Sequence, residues 1–151
     1  MLMKELRVEI LLVEDNRDDA ELTQLALQEF FGEGTFKVLR NGATALDFIF
    51  CQGEYSGRNI NEQPKLILLD IKLPKIDGIK VLQRLKAEPS TRSIPVVMLS
   101  SSRQENDIRT CMELGANSYI VKPFSLSEFE ATVRQIGTYW MRFHIGGVTV
   151  V

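Results

Sequence analysis

Ile10-Leu11-Leu12-Val13-Glu14-Asp15 decides the fold: four consecutive apolar residues that end in two carboxylates. A short apolar run without polar alternation reads as a strand buried on both faces, as in a parallel sheet covered by helices. Three further runs repeat the pattern. Residues 66–69 run into Asp70, residues 96–99 into Ser100, and residues 119–121 into Lys122. In an open α/β sheet, ligands bind in the crevice outside the carboxyl ends of the strands. The pattern therefore predicts three carboxylates, a hydroxyl and an ammonium at one edge of one sheet.

Outward from these runs, strand and helix signals alternate. Residues 16–31 carry Leu22, Leu25, Ala26 and Phe30 at helical spacing, with Gly32 and Gly34 as stops. Phe36–Leu39 reads as a second strand and residues 43–52 as a second helix. Residues 53–63 lack periodicity and form a loop that is long by ordinary standards. After the strand at 65–70 and a turn-rich segment at 73–78, a third helix carries Val81, Leu82 and Leu85. A fourth, near 104–114, buries Ile108, Cys111 and Met112 and ends at Gly115. Ser118–Val121 is the fifth strand. Ser125-Leu126-Ser127-Glu128 is a capping box opening a helix with Phe129, Val133, Ile136 and Trp140 on one face. The expected fold class is α/β: a flavodoxin-like, doubly wound, five-stranded parallel sheet, order 2-1-3-4-5, with five helices. One domain spans residues 1–143. Residues 144–151 form a β-prone tail in which 148–151 would add as a strand or flap to another protomer, making a homodimer contact.

The 151 residues suit one domain with a core that needs no disulfide or metal staple. A net charge of −2 gives no electrostatic case for a nucleic acid or membrane partner. Cys51 and Cys111 form no metal-binding pair, and the single histidine, His144, excludes a multi-histidine site. Lys4, Glu5, Arg7 and Glu9 break up any secretory leader, and no apolar stretch is long enough to span a bilayer. A reduced, cytoplasmic setting is expected.

The site chemistry follows from the residue types. Carboxylates crowded at two strand ends repel one another, so without a ligand the site should hold either a raised pKa or a bound cation. Oxygen ligands without sulfur or imidazole select Mg²⁺ or Mn²⁺. A carboxylate can also attack phosphorus, with a lysine and a hydroxyl contacting the phosphoryl oxygens. No phosphate-binding glycine loop or dinucleotide fingerprint is present, so the phosphoryl donor should be another phosphorylated molecule.

Five segments in order carry a family resemblance: Val13-Glu14-Asp15-Asn16; Leu69-Asp70 with Leu73-Pro74 and Asp77-Gly78; Leu99-Ser100-Ser101; residues 115–121; and Lys122-Pro123-Phe124. Over about residues 7–140 the chain resembles the receiver domain of response regulators. The resemblance implies that Asp70 accepts the phosphoryl group and that Asp15 binds the metal directly. It implies that Glu14 acts mostly through water and that the backbone carbonyl of Lys72 completes the metal site. Ser100 and Tyr119 would be the switch pair, and Lys122 would contact the phosphate, with a peptide bond to Pro123 that is cis in relatives. Lys72 and Ser102 depart from common patterns beside the water path, which bears on phosphoryl lifetime.

The long loop, residues 70–75, Ile94-Pro95-Val96-Val97 and Tyr139-Trp140 resemble the single-domain regulators paired with phytochrome kinases. The implied partner is a sensor histidine kinase, with a downstream protein target that no motif identifies. The expected function is a stand-alone phosphoacceptor, not an enzyme. Three alternatives stand beside it: a relay or phosphate-sink receiver for another kinase, an aspartate-nucleophile phosphatase, and a binding module that keeps the fold without phosphorylation. The phosphatase would need a second aspartate where Lys72 stands.

Overall fold

The computed structural model describes residues 8–30 and 35–140, together with the backbone of two short strands at 144–145 and 148–149. The elements run β1 (Ile10–Val13), α1 (Arg17–Leu27), β2 (Phe36–Leu39), α2 (Gly42–Ile49), β3 (Leu66–Leu69) and α3 (Gly78–Ala87). They continue with β4 (Val96–Ser100), α4 (Glu105–Leu114), β5 (Ser118–Val121), α5 (Leu126–Thr138), β6 (His144–Ile145) and β7 (Val148–Thr149). The main sheet is parallel throughout, in the order β2-β1-β3-β4-β5. This is the expected flavodoxin-like topology.

The unbroken apolar runs are explained by two cores, one on each face. Leu11, Val13, Ile67, Leu69, Val96 and Met98 point to one side and pack with residues of α2, α3 and α4. Ile10, Leu12, Leu66, Leu68, Val97 and Leu99 point to the other and pack with α1 and α5. Successive strand residues alternate faces, so a strand covered on both sides must be apolar at every position. The predicted α5 stripe of Phe129, Val133, Ile136 and Trp140 is buried, whereas Tyr139 is exposed.

Two helix-face expectations are corrected. Leu25 is 59% exposed and Met112 is 45% exposed. α1 instead buries Ala20, Thr23, Ala26 and Leu27, and α4 fully buries only Cys111. Neighbours on a helix lie about 100° apart, which turns Leu25 and Met112 off the arc facing the sheet. The expected glycine stops, Gly32 and Gly34, lie outside the described residues. α1 ends earlier, at Leu27, in a 3₁₀ turn over Gln28–Phe30. The Lys122–Pro123 bond is trans, as every peptide bond among the described residues is. Trans is the intrinsically favoured form of an X–Pro bond, by about 0.5–1 kcal/mol.

The long loop is held by side chains. Arg58 stacks over the Phe48 ring, 3.7 Å from its centroid, and donates to the Phe48 and Glu62 carbonyls. Gln63 donates to the carbonyls of Ile49 (2.7 Å) and Ile60 (3.0 Å). In the tail, β6 and β7 pair with each other in antiparallel register, His144 opposite Thr149 and Ile145 opposite Val148. Val150 and Val151, the rest of the segment expected to reach another protomer, lie outside the described residues.

Candidate functional site

The site begins where the strands stop. β1 and β3 are neighbours with Val13 opposite Leu69, so Glu14-Asp15 and Asp70 leave the sheet side by side. Each ladder continues one residue further. The Glu14 N–H donates to the Leu39 carbonyl (2.9 Å), and the Asp70 N–H to that of Val13 (3.1 Å). Across β4 and β5, the Lys122 N–H donates to the Ser100 carbonyl (2.8 Å). Asn16 then caps α1, its Oδ1 accepting from the Asp19 N–H at 3.0 Å, as asparagine favours at this position. The Asn16 N–H in turn donates to Glu14 Oε2 (3.2 Å).

One oxygen each from Glu14, Asp15 and Asp70 lies within 4.8 Å of the others, with Glu14 and Asp70 buried and Asp15 exposed. Lys122 is buried among them. Its Nζ donates to Glu14 Oε1, to Asp70 Oδ2 (3.0 Å) and to Asp19 Oδ2 (3.0 Å). An ammonium has three N–H donors, so every one is engaged. Asp70 Oδ1 accepts from the Ile71 N–H at 2.7 Å.

The electrostatics follow from burial and from this cation. Burial pushes the Glu14 carboxyl up to about 7, with the charge of Asp70 adding to the rise and Lys122 opposing it. Burial alone would lower the lysine's pKa. Its bonds and charge interactions with Glu14, Asp70 and Asp19 outweigh that and hold it above the ordinary value, so it is a cation at neutral pH.

A folded-state value above the ordinary 4.5 means that proton uptake by Glu14 favours folding. That stability is fully present below about 4.5 and is lost as pH rises through about 7. The metal-free chain is therefore expected to melt at lower temperature at pH 8 than at pH 5, with Glu14→Gln flattening the dependence. Identical pH profiles for the two proteins would show that Glu14 does not titrate in this window.

Ser100 and Tyr119 meet through a third residue. The buried Ser100 Oγ accepts from the Ser102 N–H (3.2 Å), and the Tyr119 hydroxyl donates to the Ser102 carbonyl (2.8 Å). The Ser102 hydroxyl donates to Asp107 on α4 at 2.6 Å and accepts from the Gln104 N–H at 3.3 Å. The small side chain at 102 thus ties this strand end to the first turn of α4. Lys72, two residues after Asp70, is exposed.

All the strand-end residues predicted from sequence gather at one sheet edge. The acidic group fits a divalent cation in its donor set, which is carboxylate oxygen throughout. Asp19 was not anticipated. The Asn16 cap places residue 19 in the first turn of α1, directly beside the β1 end, but it places Asp18 there as well, so the sequence does not single out Asp19.

The profile of the response regulator receiver domain matches residues 10–134, and the chain belongs to that family. Response regulator Rcp1 of Synechocystis sp. is 39% identical over 132 residues, covering 87% of this chain and 88% of that protein. The probable methanogenesis regulatory protein FilR2 of Methanothrix harundinacea is also 39% identical over 132 residues, covering 87% and 83%. The crystal structure of the Mn²⁺-bound form of Rcp1 superposes with a TM-score of 0.85 at 37% identity, covering 93% of this chain and 98% of that one. The phosphorylated cyanobacterial phytochrome response regulator RcpA gives 0.82 at 37% identity, with the same coverage. Proteins of this family are signalling phosphoacceptors. Among the described residues, no helix is long and apolar enough to cross a membrane.

Proposed function

We propose that this chain is a stand-alone cytoplasmic response regulator that takes a phosphoryl group from a histidine kinase onto Asp70. The observation that carries the reading is the buried Lys122 bonded at once to Asp70 and Glu14 at the edge of the sheet. In the reaction, an Asp70 carboxylate oxygen attacks the phosphorus of a phosphohistidine. The P–N bond breaks, the imidazole nitrogen leaves with its electron pair and takes up a proton, and an acyl phosphate forms. Glu14, Asp15, Asp70 and the backbone carbonyl of Lys72 would hold Mg²⁺ or Mn²⁺, whose charge offsets that of the phosphoryl oxygens. Ser100 and Lys122 contact the remaining oxygens. Tyr119, linked to Ser100 through Ser102, carries the change to α4 and β5.

The likeness to RcpA, a cyanobacterial phytochrome response regulator, favours a phytochrome-type kinase as donor. A relay or sink for another kinase uses the same chemistry. An aspartate-nucleophile phosphatase is disfavoured by Lys72, which stands where that class needs its acid. Phosphotransfer from purified phosphorylated kinases in Mg²⁺ tests the reading. Incorporation of one phosphoryl group is expected. Rapid turnover of many phosphate esters would indicate the phosphatase, and no incorporation from any donor would leave only a binding module.

The tail, whose strands β6 and β7 are β-prone in sequence and paired in structure, serves in this reading as a homodimer contact. Sedimentation of the full chain should give a larger mass per particle than a chain ending at Phe143. Equal behaviour of the two would remove the tail from any dimer.

A further inference from the structure

The three acceptors around Lys122 are not equivalent. Glu14 and Asp70 belong to the acidic group that offers oxygens to a cation, and Asp19 does not. Glu14 is 2% exposed, whereas the side chain of Asp19 is 33% exposed. The backbone of Asp19 is fixed on both sides. Its N–H is held by the Asn16 cap and its carbonyl accepts from the Thr23 hydroxyl at 2.7 Å. Its carboxylate sits in the first turn of α1, where the helix dipole favours negative charge.

A divalent cation entering the acidic group competes with the ammonium for the oxygens of Glu14 and Asp70, and it repels the ammonium as a like charge. An ammonium forced off both carboxylates with no other partner would be a buried, unpaired charge, which is strongly unfavourable. Asp19 removes that difficulty. It lies 3.0 Å from Nζ, belongs to a different element, and offers its oxygens to no other group in the cluster.

We infer that Asp19 is a positioning residue: the anion on which Lys122 stays seated when a divalent cation takes over the oxygens of Glu14 and Asp70. Metal entry then exchanges hydrogen bonds of the lysine without stripping it of partners. The inference rests on the metal reading of Glu14, Asp15 and Asp70.

The test is Mn²⁺ binding to the full chain, followed by titration calorimetry with the metal alone. Asp19→Asn should weaken Mn²⁺ binding roughly tenfold, the scale for partners that hold a neighbouring group in place. Asp18→Asn removes the same charge from the same helical turn, where the side chain is exposed. It should change affinity by less than about threefold, since salt screens exposed charge. In a Lys122→Met background the effect of Asp19→Asn should fall to that same level, because there is no ammonium left to seat.

Equal losses in Asp18→Asn and Asp19→Asn would overturn the inference and leave a simple charge effect. An undiminished Asp19→Asn effect in Lys122→Met would overturn it as well. The Asp18 comparison decides the question even if the double variant folds poorly. Absence of Mn²⁺ binding to the parent chain would overturn the metal reading and the inference together, so the two failures are distinguishable.

Discussion

Asp70→Asn is expected to abolish phosphoryl incorporation while leaving the fold in place. The substitution keeps the shape of the side chain and removes its charge. Oδ1 can still accept from the Ile71 N–H, now held at 2.7 Å. The other oxygen, which accepts from Lys122 at 3.0 Å, becomes an amide NH₂ that can only donate. Lys122 keeps Glu14 and Asp19, so the buried cation is not orphaned. Loss of one ion pair is set against relief of repulsion with Glu14 and Asp15. The net change in stability should lie within about 1 kcal/mol, in the range of ordinary single substitutions. The chemical effect is all or none, because a neutral amide is not a competent nucleophile toward phosphorus. Intact mass after incubation with donor and Mg²⁺ is the measurement. A phosphorylated Asp70→Asn protein would mean that another residue is the acceptor.

Gly78→Ala is expected to have the largest effect on stability of any conservative change at the site. A Cβ at residue 78 would stand 1.9 Å from the Asp70 carbonyl oxygen, 2.8 Å from its carbon and 2.9 Å from the Ile71 Cα. All three atoms are main chain and cannot rotate away. Gly78 also opens α3 behind the Asp77 cap, and its N–H donates to the Ile71 carbonyl at 2.7 Å. Either α3 moves out, loosening Val81, Leu82 and Leu85 from the core, or the end of β3 shifts with Asp70 on it. The expected loss is about 3 kcal/mol, the upper part of the range for overpacking. For a domain of this size that is roughly 6–12 °C in melting temperature. Gly57→Ala is the control, since its Cβ would meet nothing within 4 Å. Equal melting of the two variants would show that the backbone gives way more easily than this geometry implies.

Much of this was legible in the chain because buried parallel strands leave a strong signature. Residues 10–13 and 66–69 are apolar at every position, since helices cover both faces of the sheet. Polar residues directly after such runs emerge at the sheet edge, so Glu14, Asp15, Asp70, Ser100 and Lys122 could be placed together before their contacts were known. Helix faces were less legible. Leu25 and Met112 fit an apolar spacing, yet they lie off the arcs that α1 and α4 turn to the sheet. An apolar residue on a helix carries no mark of which neighbour it will meet.

Asp19 and Ser102 show where reading the chain stops. In sequence Asp19 is one of several acids at a helix start, indistinguishable from a solvated charge that favours the helix dipole. Its partner stands 103 positions away, and only the fold brings the Lys122 ammonium, from the end of β5, to the first turn of α1. Ser102 is a small residue after a strand until the fold sets the Tyr119 hydroxyl on its carbonyl and Asp107 on its hydroxyl. The amino-acid sequence by itself determined the alternation of elements, the doubly covered sheet and the edge where charge collects, because local hydrophobic pattern records burial. The tertiary structure alone decided which carboxylates share Lys122 and how Ser100 reaches Tyr119. The contacts of Lys122 and the bond from Tyr119 to Ser102 join residues distant in the chain, and no local pattern records them.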